Sequence, residues 1–407
     1  MAHDIIFRGL SAPLRVENAD DVTRLLPRVV PGLPFEMHEA APERTPFFTI
    51  SSTSKPHVFR SENLVNPDKK PRRLNAVNAL CDMIAALGTA LPLEDDSLIC
   101  LHAAGVVLGD TLVLFPNIRR AGKSTLSAAL AHQGVEVFSD DVIPVFFDAA
   151  GQAFGRAMGA APRIRLPLPE TVAPDFRDWA DSNPGPANRQ YKYLDLPNQP
   201  QQGRALPLGA FVILDRQDDE VPPRLENVTP DAAMDVLLHQ NFTRDRHSAD
   251  VLSAIARTLQ SRPAHRLIYS EPVEAAAFLV TTLGKGAAPD IPPKNPIQKF
   301  RLAEFSAVTP PPPAARAEIT RRADTSAAVI GSTLYLSDAE GRAIHRMDPL
   351  AMVIWDIIEE PIARADLEAV LIEAFPETDP SRVASDLATL LSRLETAALI
   401  TRSDPPA

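Results

Sequence analysis

The residues best suited to chemistry are Ala121-Gly122-Lys123-Ser124-Thr125, which follow the apolar run Leu112-Val113-Leu114-Phe115 and precede Leu126, Ala129 and Leu130 at helical spacing. Strand, loop, Gly-Lys-Ser/Thr and helix in that order build a phosphate cradle. Backbone N–H groups wrap the phosphates, Lys123 reaches the terminal ones, and the Ser124 hydroxyl can hold Mg²⁺. One helix further on, the short apolar strand Val135-Glu136-Val137-Phe138 ends in Ser139-Asp140-Asp141. Carboxylates just past a strand beside such a loop are where a nucleotide-dependent reaction needs them. One can hold Mg²⁺ through water, and one can take a proton from an attacking hydroxyl. The plainer reading of the pair is a solvated strand end.

The loop departs from the common GxxxxGK[ST] pattern, which asks for glycine where this chain has Asn117. Asparagine is the next best residue at positive φ. Arg119 and Arg120 stand where small residues usually let the backbone approach the phosphates. They read either as extra cations over the phosphates or as outward, solvated arginines, and a loop that has lost tight nucleotide binding is a third reading. The expected phosphate-binding set is therefore Asn117, Arg119, Arg120, Ala121, Gly122, Lys123, Ser124 and Thr125, with Ser124, Asp140 and Asp141 as metal ligands.

The pattern around the loop predicts the elements that hold it. Residues 101–115 read as a hairpin turning at Gly109-Asp110, and Gly134 sits where the loop helix ends. Further elements expected downstream are a strand over 208–214, a helix over 249–259, a strand over 266–269 and a helix over 273–283. Upstream, residues 1–95 read as a mixed α/β portion packing on this core. Its strands fall at 5–8, 47–51 and 57–59 and its helices at 19–26 and 76–90.

Three pieces, Leu101-His102-Ala103-Ala104-Gly105-Val106, Ala121-Gly122-Lys123-Ser124-Thr125-Leu126 and Ser139-Asp140-Asp141, have the joint spacing of the HPr kinase/phosphorylase family. This stretch resembles that family and its HprK-like relatives, which implies an α/β P-loop kinase core of the type shared with ATP-dependent PEP carboxykinases. The resemblance implies ATP and Mg²⁺ as cofactors. It also implies Lys123 and Ser124 on phosphates and metal, and one of Asp140 or Asp141 as the base. His102 matches the family's active-site histidine, although a histidine in an apolar strand is commonly a core residue. The implied catalytic set is Asp140, Asp141, His102 and Lys123. No Arg-Gly-Leu-Gly-Ile-type segment is present, so phosphorolysis is not expected and the substrate need not be HPr. Pro162-Arg163-Ile164-Arg165-Leu166 and Arg189-Gln190-Tyr191-Lys192-Tyr193 resemble the basic segments that follow the Asp-Asp motif in these relatives. Arg163, Arg165 and Lys192 could contact phosphate or substrate carboxylates, but each reads more simply as ordinary surface charge.

The chain has 407 residues, room for two or three domains, and its 45% hydrophobic and 23% charged residues place it among ordinary globular proteins. No apolar run is expected to approach a membrane span, Met1-Ala2-His3-Asp4 does not read as a signal peptide, and a cytoplasmic location without a membrane partner is expected. Cys81 and Cys100 are the two cysteines and lack zinc-site spacing, so a disulfide scaffold is not expected. A net charge of −11 argues against non-specific nucleic-acid binding.

Prolines cluster between Gly286 and Ala315, including Pro310-Pro311-Pro312-Pro313, which reads as an extended spacer. The expected division is thus 1–95, a kinase core over 96–284, a linker over 285–315 and a second domain over 316–407. In the last part, 328–330, 332–336 and 342–345 read as strands. Asp348-Pro349 opens a helix through Glu359 with Met352, Trp355 and Ile358 on one stripe. A second helix covers 365–375, and Asp379-Pro380 caps a third with Val383, Leu387, Leu390, Leu391 and Leu394 on one face; Leu399-Ile400 makes a closing strand. With Leu336-Ser337, Met347-Asp348-Pro349-Leu350-Ala351 and Ile354-Trp355, this pattern resembles the α+β winged-helix, PqqD-like peptide-recognition family. The resemblance implies that a leader peptide adds as a strand to the hairpin edge, with main-chain hydrogen bonds giving affinity and side-chain pockets selectivity. A DNA-binding winged helix is disfavoured because the third helix sets Arg382 and Arg393 against Asp386 and Glu395.

Together these readings describe an ATP-dependent kinase for a serine-like hydroxyl on a captured peptide or protein, as in a RiPP-type peptide-modification pathway. The spacer would raise the local substrate concentration. A small-molecule or saccharide kinase with a partner-binding module, and a non-catalytic nucleotide-binding peptide chaperone, are the alternatives. The oligomeric state, a homo-oligomer included, stays open.

Overall fold

The computed structural model describes residues 1–66, 68–116, 121–243, 245–260, 262–284 and 318–402. Asn117, Arg119 and Arg120, and the proline-rich segment 285–315, lie outside the described residues. The chain forms two compact units. The first takes Met1–Val228, Asp235–Asp245 and Ser261–Lys294; the second takes Thr229–Met234, Arg246–Gln260 and Asn295–Ala407.

The first unit opens with a six-stranded sheet whose spatial order is Phe35–Glu39, Ala2–Phe7, Leu14–Glu17, Phe48–Ser52, Phe59–Asn63 and Arg72–Leu74. The expected strand at 57–59 starts at Phe59 instead, because His57 sits in a turn at φ +58°. Helix Asp20–Val29 buries Val22, Leu26 and Val29, with Asp20 and Asp21 in its first turn and Arg28 in its last, each sign matched to the helix dipole. Across the first hairpin Asp4 faces Arg15. The Asp4 side chain is fully buried and takes a two-pronged contact from Arg15, at 2.8 and 3.0 Å, and the Ala41 N–H at 3.0 Å. Burial alone would raise this carboxyl, but the hydrogen bonds and the arginine charge outweigh it and hold it below the usual range.

Helix Ala76–Glu94 corrects one expectation: by length and composition it could cross a membrane. Most of that stretch is buried in the fold, where Leu80, Met83, Ile84 and Leu87 join the core of the six-stranded sheet. Asn75 caps its start by accepting the Asn78 N–H at 3.0 Å.

The second sheet of this unit has nine strands. Thr111–Phe115, Ala205–Arg216 and Ala264–Tyr269 run parallel, so their C-terminal ends share one edge. Ala104–Leu108 and Thr111–Phe115 form the expected hairpin, and Val137–Ser139 extends it beside Ala104–Leu108. The long strand Ala205–Arg216 also pairs at its start with Ala153–Arg156, which leads through Ile143–Phe147 to Ile99–Leu101. Helix Lys123–His132 covers one face together with helix Pro272–Leu283, both near their expected positions. In open α/β sheets ligands bind outside the C-terminal strand ends, the edge from which the Gly-Lys-Ser loop departs.

The second unit contains a meander of Ser326–Ile330, Thr333–Ser337 and Ile344–Met347, and a small sheet of Ile362–Ala363, Glu318–Arg321 and Ile400–Arg402. Helices Pro349–Ile357, Arg364–Ala374 and Pro380–Thr396 follow in the expected order. Asp348 accepts the Ala351 N–H and Asp379 the Ser381 N–H, each at 2.8 Å. Val383, Leu387, Leu391 and Leu394 are buried against Ile354, Trp355 and Leu367. The unit also draws in helix Ser248–Leu259, although chain order alone places it with the first unit. The Ser248 N–H donates to Gly341 O at 2.8 Å, and the Ser248 and Ser337 hydroxyls meet at 2.6 Å.

Candidate functional site

Gly122 precedes helix Lys123–His132 at φ +96°, a conformation that side chains disfavour. A Cβ there would also lie 2.7 Å from the Tyr269 hydroxyl, so glycine is required twice over. Lys123 opens the helix and is only 8% exposed. Ala121 packs on the sheet core before it, and Ser124 and Thr125 occupy the first turn. A helix N-terminus with a lysine beside it is a ready anion site.

Asp140, just past strand Val137–Ser139, is 4% exposed. Its Oδ2 accepts the Arg163 N–H at 3.0 Å, whereas Oδ1 is buried and, among the described residues, receives no hydrogen bond of normal geometry. Burial and the neighbouring Asp141 charge push its pKa up to about 7, against the Arg163 amide, the Ser124 hydroxyl and the Lys123 charge. Asp141 faces the other way. Its Oδ2 takes the Arg163 guanidinium at 2.9 Å, and its Oδ1 lies 3.9 Å from His102 Nε2. The His102 ring stacks on Phe242 with centroids 5.3 Å apart, while the His102 backbone N–H donates to Gln240 O at 2.7 Å. The structure therefore brings His102, Lys123, Ser124, Asp140 and Asp141 to one place.

The site suits Mg²⁺ with phosphate. Among the described residues no three His, Cys, Asp or Glu side chains converge on a metal. Mg²⁺ in such sites takes one or two protein ligands and fills the rest with phosphate and water. The unpartnered Asp140 Oδ1, with Ser124 beside it, fits that donor set.

Arg163 corrects the plain reading of it as surface charge. Its side chain is 12% exposed, lies 4.5 Å over the Tyr191 ring, and donates to Cys81 Sγ as well as to Asp141. Tyr193, its cross-strand partner, is buried with its hydroxyl unpartnered among the described residues. Burial pushes the Tyr193 phenol up. Strand alternation could not single Arg163 out, since Arg165 shares its spacing and is exposed. Lys192 is structural: Nζ donates to Ala180 O and Asp181 O at 2.8 Å each, closing the end of helix Pro174–Ser182.

No family model matches the chain, and no curated protein matches it. Among solved structures it is similar to the Hpr(Ser) kinase/phosphatase from Coxiella burnetii. The match is 16% identical, covers 46% of this chain and 94% of that one, and has a TM-score of 0.24.

Proposed function

We propose that the chain is an ATP- and Mg²⁺-dependent kinase that phosphorylates a serine-like hydroxyl. The observation that carries this reading is the buried Asp140, with one oxygen unpartnered among the described residues, beside Lys123 and Ser124 at the helix N-terminus. A buried carboxylate without a full set of partners is costly, and a metal held against phosphate would supply the missing interaction.

In this reading the loop-helix amides and Lys123 bind the β- and γ-phosphates. Ser124 and Asp140 would hold Mg²⁺, which supplies charge neutralisation on the phosphates. Asp141, more exposed than Asp140, takes the proton from the acceptor hydroxyl, and His102 stands beside it to share that proton. The acceptor oxygen forms its bond to the γ-phosphorus as the bond to the β,γ-bridging oxygen breaks, leaving ADP. Chemistry is then chiefly positioning and electrostatics.

The acceptor is proposed to be a peptide or protein bound by the second unit. Supporting this, Ser326–Ile330 and Ile344–Met347 are the edge strands of its meander, and an edge strand can add an extended peptide. The test is to incubate the full chain with Mg²⁺, γ-¹⁸O-labelled ATP and a peptide-size extract fraction, and to follow labelled phosphopeptides by mass spectrometry. Labelled product formed by wild type and lost in Lys123→Ala is expected. Equal products from both proteins, or none, would overturn the reading.

A further inference from the structure

We propose that the ends of strands Ala205–Arg216 and Ala264–Tyr269 form the nucleoside side of the nucleotide site. The Tyr269 hydroxyl donates to the phosphate oxygens beside Gly122, and the Arg216 guanidinium lies over the base. The inference rests on the kinase reading and deepens it.

The order of strands sets the direction. On one side of the loop strand Thr111–Phe115 lie Ala104–Leu108 and then Val137–Ser139, which leads to Asp140 and Asp141; on the other lie Ala205–Arg216 and then Ala264–Tyr269. Carboxylates that hold the metal draw the γ-phosphate end to their side. The nucleoside is left the opposite side, over the C-terminal ends of the two parallel strands. Arg216 and Tyr269 are register partners there, and one step beyond them the Gln217 N–H donates to Tyr269 O at 2.7 Å. Tyr269 packs in the core shared with helix Lys123–His132, and its hydroxyl lies 2.7 Å from where a Cβ on Gly122 would stand. Burial pushes the phenol up, against the Arg216 charge, so it stays a donor at neutral pH. Strand alternation puts Arg216 on the same sheet face as Leu214 and Tyr269, with its side chain 42% exposed. Its ion pair, to the exposed Asp218 at 3.7 Å, is one that water screens. Gly122, the Tyr269 hydroxyl and Arg216 thus follow one another along the strand ends. The exposed acids Asp218-Asp219-Glu220 come next, and they repel phosphate but not an uncharged base. A guanidinium covers such a ring with its plane.

The test is calorimetric titration of the full chain, in Mg²⁺, with ATP and with tripolyphosphate, which carries the phosphates without a nucleoside. Arg216→Ala is expected to weaken ATP binding by about 3- to 30-fold and to leave tripolyphosphate within about twofold of wild type. The retained tripolyphosphate binding also shows that the variant is folded. Arg216→Lys should bind ATP more weakly than wild type despite its charge, because an ammonium has no plane to stack. Tyr269→Phe keeps the ring in the core and should weaken both ligands alike by about 10-fold or more, the loss of a hydrogen bond to a charged group. ATP binding by Arg216→Ala equal to wild type, equal losses of ATP and tripolyphosphate in that variant, or binding by Tyr269→Phe equal to wild type would overturn the proposal alone. Failure of wild type to bind either ligand in a Lys123-dependent way would instead remove the kinase reading on which it rests.

Discussion

Replacing Asp140 with asparagine should make the unloaded protein more stable while removing the metal site proposed above. The Asp140 carboxyl rises from 3.8 to about 7 on folding. At 1.36 kcal/mol for each pKa unit, that is a cost of about 4 kcal/mol to the folded state once the group is ionised. A raised folded pKa means that the folded state holds the proton more tightly. Its contribution to stability is whole below pH 3.8 and drains away as pH rises through about 7. Asparagine carries no charge at either end of this window, and its carbonyl can still accept the Arg163 N–H. Asp140→Asn should therefore exceed wild type by about 1–2 kcal/mol at pH 5 and about 4 kcal/mol at pH 8. The assay is urea denaturation without metal or nucleotide at both pH values. Adding Mg²⁺ to ATP should then stabilise wild type further but give the variant nothing beyond ATP alone. A stability difference that does not grow with pH, or a variant less stable than wild type at pH 8, would refute the reasoning.

Other residues carry their own tests. Gly122→Ala forces a side chain to φ +96° and against the Tyr269 hydroxyl; it should cost about 1–3 kcal/mol in denaturant titration and weaken nucleotide binding. Asp4→Asn leaves the half-buried Arg15 without its counter-charge, which should cost about 1.5–3 kcal/mol by the same measurement. His265 is buried with neither ring nitrogen hydrogen-bonded among the described residues, and burial lowers its pKa. A depressed folded pKa gives stability that is whole above the ordinary value of about 6.5 and falls as pH drops below it. His265→Phe should flatten the melting-temperature profile below about pH 6.5, whereas an unchanged slope would exclude His265 as its source.

The parts of the molecule written in local pattern were legible in the sequence. The hairpin before the loop, helix Lys123–His132 and the caps Asp348 and Asp379 follow from turn residues, periodicity and capping chemistry, although the hairpin's first strand starts at Ala104 while Leu101, expected in it, ends a separate strand paired with Ile143–Phe147. Strands without such a pattern were not legible. Phe35–Glu39 is exposed along nearly its whole length, and Arg72–Leu74 is short and basic. Gly122, Lys123 and Asp140 share one short strand-helix-strand stretch, so their meeting needs no long-range information. Arg163 reaches Asp141 only because its hairpin folds back over the loop helix, a register that no spacing encodes. The same holds for Asp231, whose backbone carbonyl accepts the Tyr335 hydroxyl at 3.0 Å across more than a hundred residues of chain.

The most direct measurement is calorimetric titration of ATP, with and without Mg²⁺, into wild type, Lys123→Ala and Asp140→Asn. The account predicts binding by wild type that Mg²⁺ strengthens, its loss in Lys123→Ala, and loss of the Mg²⁺ effect alone in Asp140→Asn. ATP binding that neither substitution alters, or no binding by wild type, would contradict it.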